Sequence, residues 1–162
     1  LLRNKRWQEN FSLMEKYKLS FDLQLYPEQM KESADFLARF PEIPIVIDHA
    51  GSPYDQTEAG FKFWKKSLTY LAELPNIFIK LSGFGMYDRN WSSKSSLALF
   101  ETILELFEPK RIMWGSNFPV DGLMKSYNFC VEQLLHWISP LTFEDQSLIA
   151  SETARKFYRI DQ

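Results

Sequence analysis

Along the chain, short apolar runs alternate with longer stretches in which apolar positions recur every three or four residues. The first stretch sets Trp7, Phe11 and Met14 at i, i+4 and i+7, which is one face of a helix. Four runs follow: SFDLQL (20–25), IPIVID (43–48), NIFIKLS (76–82) and RIMWGS (111–116). Each is too short for a buried helix, and three are rich in β-branched or aromatic residues, so strands are expected. Between the runs, Met30, Ala34 and Leu37 share one helical stripe, and Phe61, Trp64, Leu68 and Leu71 share a second. Leu97, Phe100, Leu104 and Phe107 make a third. Pro27, Pro41, Pro75 and Pro109 punctuate the pattern, because a proline disfavours helical backbone in the residue before it. The end of the chain reads as helix over 123–138, again from Thr142 as an N-cap with Asp145 at N3, and over Thr153 to Tyr158.

Strands that alternate with helices pair in parallel, since parallel neighbours need a crossover connection. Four successive βα units fit an open doubly wound sheet or half of an eight-stranded barrel, and the pattern leaves both open. A complete barrel takes about 250 residues. This chain has 162, and it starts at Leu1 inside a helical pattern without a methionine, which points to a piece of a longer protein.

Composition narrows the function classes. The chain is 45% hydrophobic and 25% charged, an ordinary globular mix that excludes disorder. Its 19 basic and 21 acidic residues give a net charge of −2, without the basic surplus of a nucleic-acid binder. No apolar run reaches membrane-spanning length, and the first twenty residues lack a signal peptide's apolar centre. The single cysteine, Cys130, cannot form an internal disulfide, which points to a reducing, cytoplasmic setting.

In either architecture, functional groups gather at the carboxyl ends of the strands. Those ends carry Gln24 and Tyr26, Asp48 and His49, Lys80 and Ser82, and Ser116 and Asn117. An imidazole placed like His49 can bind a metal or move a proton near neutral pH, or simply be satisfied by a neighbouring carbonyl. Asp22 and Lys80 are charges inside apolar strands. Residues i and i+2 share a strand face, so Asp22, Gln24 and Tyr26 are expected to point together, as are Lys80 and Ser82. A buried lysine needs a partner: Lys80 either joins an internal ion-pair network or polarises a substrate carbonyl. His136 and Cys130 lie in a helical pattern without catalytic context. The glycines of GFGM and WGSN precede no Gly-Lys-Ser/Thr, so no phosphate loop is present.

Taken together, FDLQLYPEQM, IVIDHAGSP, LAELPNIFIKLSGFGM, RIMWGSNFPVDG and ETARKFYRI resemble the amidohydrolase superfamily (amidohydrolase family 2). The nearest branch is that of the lactone hydrolases, with the fuconolactonases and pyrone-dicarboxylate lactonases. The resemblance runs from Ser20 to Ile160. It implies an α/β metal-dependent hydrolase fold, a (β/α)8 TIM-like barrel. Residues 1–162 would then be the carboxyl-terminal half of one barrel domain, holding the last four βα units. The family's first-strand His-x-His pair has no counterpart in this chain.

Carried over by position, the resemblance makes His49 a catalytic residue that acts with or without one divalent metal, zinc or similar, which it would help to ligate. Gln24, Tyr26, Lys80, Ser82 and Met86 would face a small-molecule substrate. Asn117 stands where the family usually has an aspartate that activates water, and an amide is not a useful base. The implied reaction is attack of water on the carbonyl of a sugar-type lactone, polarised by His49. Nonoxidative decarboxylation is a second reading, and a half-barrel without catalysis is a third. With Arg89 the only arginine in the loops after the second and third runs, a neutral substrate is expected. Asp121, four residues on, is expected to be a solvated surface carboxylate, the alternative being that the loop turns it inward to take over as the base. Asn117→Asp is therefore expected to raise hydrolysis at least about tenfold, and Asp121→Asn to change little. A half-barrel has two free strand edges, so self-association into a homo-oligomer is also expected.

Overall fold

The computed structural model describes residues 2–160. In chain order, α1 (Lys5–Lys16) leads to β1 (Phe21–Leu23), α2 (Pro27–Leu37), β2 (Ile45–Ile47), α3 (Glu58–Ala72) and β3 (Ile77–Leu81). Then come a short α4 (Phe84–Tyr87), α5 (Leu97–Phe107), β4 (Ile112–Trp114) and α6 (Tyr127–Ile138). The chain closes with α7 (Phe143–Ser147), a π-helical turn over Leu148–Glu152, and α8 (Thr153–Tyr158). All strand pairs are parallel, in the order β1-β2-β3-β4. The strands occupy the middles of the four apolar runs, whose polar ends turn into loops.

Register divides the sheet into two unlike faces. Phe21, Ile45 and Ile77 pair across it, as do Leu23, Ile47, Ile79 and Ile112. The isoleucines on this face are fully buried beneath the helices, in a core that includes Met30, Leu37, Trp64, Leu68 and Ile103. Burying each such side chain contributes roughly 1.5–3 kcal/mol, so this face is the main source of stability. The opposite face carries Asp22, Val46, Phe78, Lys80 and Met113. Its apolar part is covered by the end of the chain: Phe157 joins Val46 and Met113, and its ring meets Phe78 at 5.1 Å, close to edge-on.

Ends and connections follow recognisable chemistry. Asn4, Thr57, Ser126 and Thr142 cap α1, α3, α6 and α7 through their side chains, and Thr142 Oγ1 also donates to Asp145 Oδ2 at 2.8 Å. The helix expected over 123–138 begins only at Tyr127, because Ser126 caps it and Asp121–Leu123 form a separate 3-10 turn. Arg111 reaches the carbonyls of Ala72, Leu74, Ile77, Leu106 and Phe107 at 3.0–3.2 Å, clamping the ends of α3 and α5 to the start of β3. In α5 the buried stripe is Leu99, Phe100, Ile103 and Phe107, while Leu97 is 42% exposed. That helix is apolar on most sides, so packing against α3, β3 and β4 selects its inner face. No helix among the described residues is long and apolar enough to cross a membrane. Among those residues, the outer edges of β1 and β4 have no strand partner.

Candidate active site

The loop after β2 builds the first element of the site. His49, Ala50, Gly51 and Ser52 all have φ between 53° and 68°, a left-handed turn of four residues. A non-glycine residue in this region costs roughly 1–2 kcal/mol, so the turn must be held from outside. Trp64 Nε1 donates to the Ala50 carbonyl at 2.8 Å, and the Ser52 amide donates to the His49 carbonyl at 2.8 Å. The turn carries the imidazole over the end of β3, where His49 Nδ1 lies 3.1 Å from Ser82 Oγ. Gly83 has φ of 69°, and a Cβ there would stand 2.5 Å from His49 Nδ1. The glycine is what lets the ring approach.

Asn117, after β4, also has a left-handed backbone, with φ of 53°. Its Nδ2 donates to Asp121 Oδ1 at 3.0 Å, and the Asp121 amide donates to the Asn117 carbonyl at 3.0 Å. Asp121 is only 2% exposed, contrary to the expectation of a solvated carboxylate. The 3-10 turn that begins at Asp121 folds its side chain inward beside Gly85, the one residue type there whose lack of a Cβ leaves space.

His49, Lys80, Ser82 and Asn117 line one open pocket of about 340 Å³, with Trp114 and Tyr158 among its walls. Within it, Lys80 Nζ holds Asp22 Oδ2 at 2.6 Å and Asp48 Oδ1 at 2.8 Å. Tyr158 donates to Asp22 Oδ2 at 2.8 Å, and its ring lies 5.4 Å from the ammonium. Burial alone would favour a neutral Lys80 amine. Its hydrogen bonds to Asp22, Asp48 and Tyr158 outweigh that and hold its pKa above the usual range. Burial pushes the Tyr158 phenol up to about 12, with Asp22 adding to the shift and Lys80 opposing it. Burial also lowers the His49 pKa, helped by Lys80 and opposed by Asp48 and Asp121, so the ring is neutral at neutral pH.

Three of the residues singled out from sequence lie elsewhere. β1 ends at Leu23, so the shared-face argument does not extend to the residues beyond it. Gln24 lines a separate groove of about 540 Å³ that also touches Phe21 and Leu25. Tyr26 starts α2 as its N-cap, is 51% exposed and packs edge-on against Tyr54 with ring centroids 5.6 Å apart. Met86 is 42% exposed on α4. Conversely, Tyr158 enters the pocket from a position 136 residues beyond its partner Asp22, a pairing that no local pattern announces.

A catalytic zinc usually takes three protein ligands. Among the described residues no three His, Cys, Asp or Glu side chains are grouped to hold a metal ion. His49 offers Nε2 at most, since Nδ1 faces Ser82. These residues therefore do not make a zinc site by themselves.

A parallel sheet with polar side chains gathered at its carboxyl edge fits a barrel and an open sheet alike, and comparison with known proteins decides between them. The chain belongs to the amidohydrolase family, whose profile matches residues 1–160. It is 34% identical over 158 residues to the uncharacterized protein y4mH of Sinorhizobium fredii, across 98% of this chain and 53% of that protein. It is 29% identical to an L-fucono-1,5-lactonase of Burkholderia multivorans, across 88% of this chain and 52% of that enzyme. An amidohydrolase structure from Burkholderia multivorans with bound zinc superposes with a TM-score of 0.89 at 25% identity, covering 98% of this chain and 58% of the other. The chain thus spans about half the length of the curated relatives it matches. Its four βα units are those of half a (β/α)8 barrel, which decides between the two architectures the sequence pattern left open.

Proposed function

We propose that the full-length protein opens a small, neutral, sugar-type lactone by adding water to its carbonyl. In this reading residues 1–162 form the carboxyl-terminal half of one barrel domain and supply part of its active site. The observation that carries it is the meeting of the His49–Ser82 pair and Asn117 in one pocket at the carboxyl edge of the sheet. The relatives point the same way. Besides the fuconolactonase, they include an L-rhamnono-gamma-lactonase of Scheffersomyces stipitis, 25% identical across 80% of this chain and 42% of that enzyme.

The chain's own residues divide the work as follows. With Ser82 Oγ–H as the donor of the 3.1 Å contact to Nδ1, the neutral His49 would carry its proton on Nε2 and donate it to the lactone carbonyl. A preorganised donor aimed at a developing oxyanion is commonly worth about 2.7–4 kcal/mol. Asn117 gives Nδ2 to Asp121 and so offers its carbonyl oxygen to the attacking water. An amide orients that water but does not take its proton, so the base is another group. A divalent metal, such as the zinc in the Burkholderia multivorans amidohydrolase structure, would need donors beyond His49.

The charge balance favours a neutral substrate. Lys80 is the cation lining the pocket, and Asp22 and Asp48 already hold it. Arg89 is exposed and is not among the lining residues. The test is to follow acid release by the full-length protein at constant pH with a neutral six-membered sugar lactone, a dicarboxylate lactone and an aromatic carboxylic acid. Preferential opening of the sugar lactone is expected. Preference for the dicarboxylate lactone would overturn the substrate assignment. Carbon dioxide release from the aromatic acid, or inertness toward all three, would overturn the hydrolase reading.

A further inference from the structure

Asp121 is a carboxylate buried behind a pocket residue, and none of the chemistry above uses it directly. Burying an ionised group is costly unless it is hydrogen-bonded, so its location demands a purpose. Closing the turn is not a sufficient one, because the backbone bond from the Asp121 amide to the Asn117 carbonyl already does that at 3.0 Å. The Asp121 carbonyl accepts two further amides, from Met124 at 3.0 Å and Lys125 at 2.9 Å. The carboxylate adds one bond, to Asn117 Nδ2 at 3.0 Å. Space for it is specific. A Cβ on Gly85 would lie 3.2 Å from Asp121 Oδ1 and 2.9 Å from Met124 Cε.

An ionised carboxylate only accepts hydrogen bonds, so it fixes which end of the Asn117 amide faces it. The nitrogen must turn toward Asp121 and the oxygen away. Without that partner the amide could rotate by half a turn and present a donor where an acceptor is needed. We propose that Asp121 is a positioning residue. It acts through Asn117, locking the amide so that Oδ1 serves as an acceptor for the attacking water or a substrate hydroxyl. This rests on the lactonase reading for its kinetic consequence, but the lock itself is a property of the pair.

The test is a double-mutant cycle in the full-length protein with Asn117→Ala, Asp121→Ala and the double variant. Residues that act through one another are non-additive, whereas independent structural contributions add. Asp121→Ala is expected to lower kcat about tenfold or more with little change in KM when Asn117 is present, since misplaced groups cost rate steeply. In the Asn117→Ala background the same change should cost less than about twofold, the range of independent sites. An equal loss in both backgrounds would overturn the proposal, because Asp121 would then act on the fold alone. The lock is also read without turnover, from the side-chain amide resonances of Asn117. Asp121→Ala should move them toward the positions of a free amide and speed their exchange. If the wild type opens no lactone, the lactonase reading fails and the amide signal alone decides. Resonances unchanged by Asp121→Ala would then overturn the lock, and a shift would sustain it.

Discussion

At the scale of single residues, the pair Asn117–Asp121 changes what a simple substitution is expected to do. From sequence alone, replacing Asn117 by Asp looks like the restoration of a base. In the structure the new carboxylate would face the buried Asp121 across the 3.0 Å now spanned by a hydrogen bond. Two carboxylates that close cannot both ionise, and they share a proton, so one is no base at neutral pH. Asn117→Asp alone is therefore predicted to raise kcat/KM less than about tenfold near pH 7. The exchange Asn117→Asp with Asp121→Asn keeps the hydrogen bond with its polarity reversed and sets the charge in the pocket. It is predicted to give about tenfold or more, the low end of what a general base contributes. Measuring kcat/KM of both variants on one lactone checks this. Equal gains in the two would show that Asp121 does not restrain position 117.

His49, Lys80, Ser82 and Asn117 were legible in the sequence because each stands within three residues of a strand's carboxyl end, where chain order alone fixes location. The burial of Asp121 was not, since it depends on a turn and on space left by Gly85, 36 positions away in a different loop. β1 ends earlier than its apolar run, so the shared strand face expected for Asp22, Gln24 and Tyr26 does not extend past Leu23.

At the scale of elements, the sheet's polar face and the carboxyl-terminal helix hold each other. α8 brings Phe157 onto Phe78 and Tyr158 onto Asp22 and Lys80. The sequence shows α8 and the strands as separate patterns, but their docking is a long-range contact that periodicity does not encode. Periodicity likewise assigned α5 the stripe Leu97, Phe100, Leu104 and Phe107, whereas packing against its neighbours buries Leu99, Phe100, Ile103 and Phe107. The docking has a pH signature. The Tyr158 phenol titrates near 12 here, above its ordinary value of 10.0, so the folded state favours its neutral form. That contribution is complete below pH 10 and is lost as pH rises from about 10 toward 12. The raised Lys80 pKa acts in the same direction, since its charged form is the one held. In the full-length protein, melting temperature is predicted to fall over this window, and to fall less in Tyr158→Phe, which has no phenol proton to lose. Thermal melts between pH 9 and 12 check it. Parallel decline of the two proteins would mean that Tyr158 is not part of the lock.

At the scale of the whole molecule, half a barrel carries an obligation that a closed one does not. Phe21–Leu23 and Ile112–Trp114 each present one strand edge without a partner among the described residues. Unpaired backbone donors and acceptors on such an edge invite another strand. The 162-residue chain expressed alone is predicted to sediment as a dimer or larger species. A monodisperse, cooperatively melting monomer would show that these edges are protected in another way.

If the pocket around His49 opens the lactone in the full-length protein, loss of the imidazole must slow the reaction. The most direct measurement is kcat/KM for a neutral sugar lactone in wild type and His49→Gln, with folding of the variant confirmed by its melting temperature. Removing an oxyanion donor commonly costs about 10²–10³-fold. A loss of about 10²-fold or more with the fold intact is expected. A folded His49→Gln protein that opens the lactone within about twofold of the wild-type rate would place the chemistry elsewhere and contradict that expectation.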